Sequence, residues 1–169
     1  RFAYTTEDGL QDPKWKKLFN AKKGTVFGPY LTSPGVYRIA KLAEVQYRPD
    51  SVEARHILIK PTQEMNLDSV NVRIDGIRKQ VEAGADFGAL AQKNSEDQGS
   101  AIKGGDLGWF QEGAMVDAFN EACFTSKRGD LSVVTSQFGV HLIEVTKTSK
   151  AVRKVKIAFI DRNIEPSTE

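Results

Sequence analysis

Val70, Ile74, Ile77 and Val81 recur at intervals of four, three and four residues. That spacing puts all four on one face of a helix, which must then find an apolar surface to cover. Asp68 is expected to cap the start of this helix and Gly84 to end it. The surface is close by in the chain. Ala54 to Ile59 is short and rich in β-branched residues, as a buried strand is, and Pro61 ends it. A second helix is expected from Asp86, with Phe87, Leu90 and Ala91 facing inward. A loop of small residues, 95–108, follows, then a short helix near Met115 to Ala122 with Phe119 and Cys123 four apart. Leu131 to Val134 and Val140 to Val145 read as two closing strands. Strand, three helices, strands is the order of an α+β domain, with helices packed on a small, mainly antiparallel sheet.

The flanks are β-rich arms. Asp12-Pro13 opens a short helix over residues 12–19, with Asp12 as N-cap. Thr25 to Phe27 and Val36 to Leu42 read as strands, joined through Gly28-Pro29 and Ser33-Pro34-Gly35, and residues 47–51 as a linker. These arms echo the middle of the chain. Residues 17–24 resemble 122–129 at an offset of 105, and residues 35–39 resemble 139–143 at an offset of 104. Val155 to Ile160 resembles Ala54 to Ile59 at an offset of 101. Three segments result: 1–50, the remnant of a preceding unit with its linker; 51–149, the complete domain; and 150–169, an extended C-terminal strand and tail. In the echo Tyr37 stands at the place of His141, and Ile157 at that of His56. The arms are expected to pair in a small second sheet, within one chain or between two copies, with Ile157 and Tyr37 packed where the middle domain has its histidines.

Composition narrows the chemistry. The 169 residues carry a net charge of +2, too small an excess for a nucleic-acid surface. The single cysteine, Cys123, excludes an intrachain disulfide and reads as a buried small hydrophobe rather than a nucleophile. Two histidines, even with an acid such as Asp97, make no closed ligand set for zinc. No apolar run approaches the ~20 residues of a membrane span. The sequence begins at Arg1 rather than Met, and is expected to be a piece of a longer protein, with room for an anchor or a targeting signal outside it.

Arg55-His56-Ile57-Leu58, Ser95-Glu96-Asp97, Gly104-Gly105-Asp106-Leu107-Gly108-Trp109-Phe110, Met115 with Phe119, and Phe138-Gly139-Val140-His141 follow one another in order and spacing. Together they resemble the parvulin family of peptidyl-prolyl cis-trans isomerases, over residues 52–147. The flanks and the echo are similar to exported, periplasmic folding factors of the SurA and PpiD type. The resemblance implies that His56 and His141 are the paired active-site histidines. It puts Asp97 at the pocket edge and Ser136, or Thr135 if the alignment slips by one, beside the histidines. Leu107, Met115 and Phe119 would form the apolar cup for the proline ring, a surface cleft rather than core, with Phe110 beneath it. Gln98 departs from the proline common among bacterial relatives. No cofactor or metal is implied. The expected partners are unfolded or partly folded polypeptides with X-Pro bonds, in the periplasm or cell envelope, and a homo-oligomer through the terminal strands is compatible with the arms. A different class of function stands beside this one: a client-binding, chaperone-like module that keeps the fold with little or no turnover.

Overall fold

The computed structural model describes residues 3–164. A single 3-10 turn, Pro13–Trp15, runs into one turn of helix, α1 (Lys16–Phe19). Three strands follow: β1 (Val26–Ser33), β2 (Val36–Pro49) and β3 (Ser51–Ile59). Next come α2 (Leu67–Glu82), α3 (Phe87–Asn94) and the short α4 (Gln98–Ala101). The chain continues through β4 (Asp106–Gln111), α5 (Asp117–Thr125), β5 (Leu131–Ser136), β6 (Gly139–Thr148) and β7 (Ala151–Asn163). The segments up to Arg48 and from Ala151 form one compact unit, and Pro49–Lys150 form the other.

In the central unit the sheet runs β4-β3-β6-β5, antiparallel throughout. Side chains alternate between its faces. Ile57, Ile59, Val140 and Leu142 point to one face, where Val70, Ile74 and Ile77 of α2 and Phe87 and Ala91 of α3 cover them. Val52, Ala54, Ile143 and Val145 point to the other, against Phe110 and against Phe119, Cys123 and Phe124 of α5. Each fully buried aliphatic side chain contributes about 1.5–3 kcal/mol. Gly84 ends α2 at φ +95°. The start of α2 differs from expectation: Asn66, not Asp68, is the cap, its side chain accepting from Ser69 N at 2.9 Å. Asn66 precedes the first helical turn, whereas Asp68 already lies inside it, where its charge favours the helix dipole. Asp86 caps α3 as expected, at 2.6 Å from Ala89 N.

Three extended segments escaped the sequence pattern: β4, the segment at 47–51, and residues 28–33, read as a connection but part of β1. β4 carries two glycine-flanked residues and no β-branched ones, and its strand character comes from pairing with β3. The segment expected to be a linker at 47–51 is strand up to Pro49 and again from Ser51.

In the flanking unit β7 pairs beside β2 within the same chain, giving the sheet order β1-β2-β7. Its core is Trp15, Leu18, Phe19, Ala40, Leu42, Val155 and Ile157. Ile157 is buried as expected, but Tyr37 is not: it is 38% exposed, on the opposite face with Ile39. The hairpins explain why. Ser33 pairs Val36 as Ser136 pairs Gly139, an offset of 103 rather than 104. One residue of slip reverses every side chain, and Arg38 takes the position of His141.

Candidate active site

β3 and β6 are the central strands, and their register sets the site. His56 lies opposite Ile143 and His141 opposite Leu58, so the two imidazoles are diagonal neighbours on the α5 face. Their Nδ1 atoms are 3.1 Å apart and their rings meet edge to edge in nearly one plane, with centroids 5.4 Å apart and planes at 16°. Both are buried, at 6% and 4% exposure. Phe119 sets its ring edge-on to each, at 5.5 and 5.3 Å.

The segment after α3 brings in the acid. Ser95 Oγ accepts from Leu58 N at 3.1 Å, and Glu96 N donates to Leu58 O at 2.7 Å. This stitches residues 95–97 to β3 and puts Asp97 Oδ2 2.8 Å from His56 Nε2. Ser100 Oγ donates to the same carboxylate at 2.5 Å and lies 3.1 Å from His56 Nε2. On the other side Ser136 Oγ is 2.7 Å from His141 Nε2 and accepts from Phe138 N. The backbone itself is fitted closely here. Gly105 O accepts from His56 N at 2.9 Å. Gly105 sits at φ +82°, and a Cβ there would lie 2.3 Å from His56 O.

Electrostatics follow from burial. Removal from water holds the His141 imidazolium form down to a pKa of about 4; a charged His56 would lower it further, and Asp97 partly opposes this. The Ser100 hydrogen bond, with the His56 hydrogen bond and charge, lowers the Asp97 carboxyl below the ordinary carboxylate range, against burial. Taking both rings as neutral and Asp97 as ionised, one direction of donation satisfies every ring nitrogen. Ser136 O–H donates to His141 Nε2, His141 Nδ1–H to His56 Nδ1, and His56 Nε2–H to Asp97. The assignment comes from the network as a whole. The Cys123 thiol is buried and pushed up to about 12, so it supplies no thiolate.

A cleft of about 530 Å³ opens over the histidines, walled by Leu58, Leu107, Met115, Val116, Phe119 and Phe138. The sequence-expected residues thus converge: His56, Asp97, His141 and Ser136 form one hydrogen-bonded run, and Leu107, Met115 and Phe119 line the cup. Ser136, not Thr135, makes the bond to His141. Phe110 is buried behind Phe119 at 6.4 Å between centroids and reaches the cup only through it. Phe119 is also more than a wall: at 3% exposure it belongs to the core of the α5 face. Sequence reasoning missed Ser100, Leu58 and Phe138. Ser100, three residues after Asp97 and so within one turn, carried a readable signal; Leu58 and Phe138 are end residues of the two histidine motifs, but nothing in the sequence marked them as cleft wall.

A family model for the PPIC-type PPIase domain matches residues 37–149. The chain belongs to the PPIC-type peptidyl-prolyl isomerase family, the parvulins. The chaperone SurA of Methylococcus capsulatus is 38% identical to it over 135 residues, 77% of this chain and 30% of that protein. The chain spans about a third of the length of the curated relatives it matches. Among solved structures, the peptidylprolyl isomerase PrsA of Bacillus anthracis is 36% identical with a TM-score of 0.54, covering 63% of this chain and 45% of that one. The peptidyl-prolyl isomerase ESS1 of Candida albicans is 25% identical with a TM-score of 0.51, covering 58% and 63%. The parvulin unit has the α+β fold of these neighbours.

Proposed function

We propose that this parvulin unit is a peptidyl-prolyl cis-trans isomerase acting on unfolded or partly folded polypeptides outside the cytoplasm. The observation that carries the reading is the buried His56–His141 pair, bonded to Asp97 and Ser136 and facing an apolar cup. The location rests on kinship with SurA. A membrane anchor outside this sequence belongs to the same reading; among the described residues no helix is long and apolar enough to cross a membrane.

The geometry suits a reaction that breaks no covalent bond. Amide rotation meets a barrier of about 18–20 kcal/mol, set by resonance. Leu107, Met115 and Phe119 hold the prolyl ring and exclude water. A twisted amide is less polar than a planar one, so a dry cup disfavours the planar ground state more. The histidine run keeps its own donors and acceptors paired, and so holds His56, His141, Asp97 and Ser136 in one fixed arrangement beside the cup.

Prolyl exchange measured by NMR on a short Leu-Pro peptide tests this. Acceleration over the uncatalysed rate is expected, and its absence leaves the second reading, client binding without turnover, which the chaperone name of the relatives favours. The cleft rim carries Lys60 beside Glu96 and Asp97 rather than a cluster of cations. A phosphoserine-Pro peptide is therefore expected to gain nothing over its unmodified twin.

A further inference from the structure

The flanking unit repeats the central one in its sheet. β1-β2-β7 follows the order of β5-β6-β3, and Thr5, bridged to Val155, stands where β4 pairs with β3. α1 precedes β1 as α5 precedes β5, and Leu18 and Phe19 are buried as Cys123 and Phe124 are. An offset of 101 sets Ile157 on His56 and Phe159 on Leu58.

A cleft of about 420 Å³ opens at the matching place, over Ile157 and Phe159, with Trp15 as its wall and Tyr4, Thr5 and Gln11 from the segment that leads into the helix. In the central unit His56, Leu58, Phe119 and the segment before α5 hold those roles. The aromatic walls are fixed. Trp15 and Phe159 lie 5.4 Å apart, and Trp15 Nε1 donates to Tyr30 Oη at 2.8 Å. The Arg38 guanidinium covers Phe159 at 4.1 Å, held by Asp161 at 2.6 and 2.7 Å.

We propose that this cleft is a second polypeptide-binding site, which takes an extended proline-containing segment without isomerising it. The choice of ligand rests on the function proposed above. Prolyl rings pack well on aromatic walls, and Trp15 with Phe159 supplies them. Turnover is absent because Ile157 replaces His56 and Arg38, bound to Asp161, replaces His141, so the histidine run has no counterpart.

NMR titration of the whole chain with acetyl-Ala-Leu-Pro-Phe-amide, and with its twin carrying Ala for Pro, tests this. The Trp15 indole N–H reports the flanking cleft and the Met115 methyl the central one. Saturable shifts at both are expected, with the Ala twin about tenfold weaker at Trp15. Phe159→Ser is expected to abolish the Trp15 response while the Met115 response and the isomerisation rate stay unchanged. A nitroxide-labelled copy of the peptide should broaden the Trp15 signal in the unaltered protein, so the result does not rest on a variant that folds. A Trp15 signal that stays unmoved and unbroadened while Met115 saturates overturns the second site and leaves the isomerase reading standing. Shifts at Trp15 with none at Met115 and no turnover overturn the isomerase reading and keep the site. Equal affinity of the two peptides at Trp15 overturns proline as the recognised group.

Discussion

His141 is the side chain whose protonation the fold opposes most openly. Its folded value of about 4 lies below the ordinary 6.5, so the unfolded chain takes up the proton first as pH falls. The stability held by the neutral form is complete above about pH 6.5 and is lost toward pH 4, by about 3 kcal/mol. Urea unfolding followed through the Ile57 and Ile143 methyl signals at pH 7 and pH 4.5 should show this loss. His141→Gln should flatten it, and an equal pH dependence in both proteins would refute the assignment. The wall residues divide differently. Met115 is half-exposed and only packs against the core, whereas Phe119 is inside it. Met115→Ala should lower kcat/KM about tenfold with a loss of about 1 kcal/mol. Phe119→Ala should lose activity and also about 3–5 kcal/mol. Paired melts and rates check this, and equal melting losses would contradict it. The sequence motifs located all of these residues because they are contiguous in short runs. They could not separate wall from core, since burial is decided by what packs on the other side.

At the scale of elements, periodic segments were legible and pairing-dependent ones were not. α2 shows itself through the spacing of Val70, Ile74 and Ile77, each with its own free energy of burial. β4 has no such pattern; it is held as a strand by β3 and by the close approach of Gly105 to His56. The one-residue error at Tyr37 has the same origin. Hairpin register depends on turn geometry, which an offset in a sequence comparison does not resolve. Two glycines isolate the effect of close approach. Gly105 and Gly129 both have positive φ, +82° and +87°, but a Cβ at Gly129 meets nothing within 4 Å. Gly129→Ala should therefore cost about 1 kcal/mol, for the backbone conformation alone. Gly105→Ala should cost about 3 kcal/mol or more, because β4 must move away from His56. Chemical denaturation of both variants decides the matter: equal losses would show that the contact at His56 relaxes freely.

At the scale of the whole molecule, the chain forms two compact units although the flanking one is split in sequence. The echo made a second sheet legible; the closure of that sheet by β7 depends on segments more than a hundred residues apart, whose pairing no local pattern encodes. Val155 and Ile157 are buried in the flanking core, and Thr5 and β2 both pair with β7. Removing residues 151–169 takes two buried apolar side chains, about 3–6 kcal/mol, together with a strand ladder from a unit of small size. That exceeds or matches what such a unit can hold in reserve. The central unit keeps its own two cores and all four strands. The truncated protein should therefore lose amide protection at Val36 to Leu42 and keep it at Arg55 to Ile59 and Val140 to Val145, with prolyl turnover unchanged. Hydrogen exchange reads both halves of the expectation. Protection that survives at Val36 to Leu42 would mean that β1 and β2 stand without β7, and protection lost in β3 and β6 would mean that the two units do not fold separately.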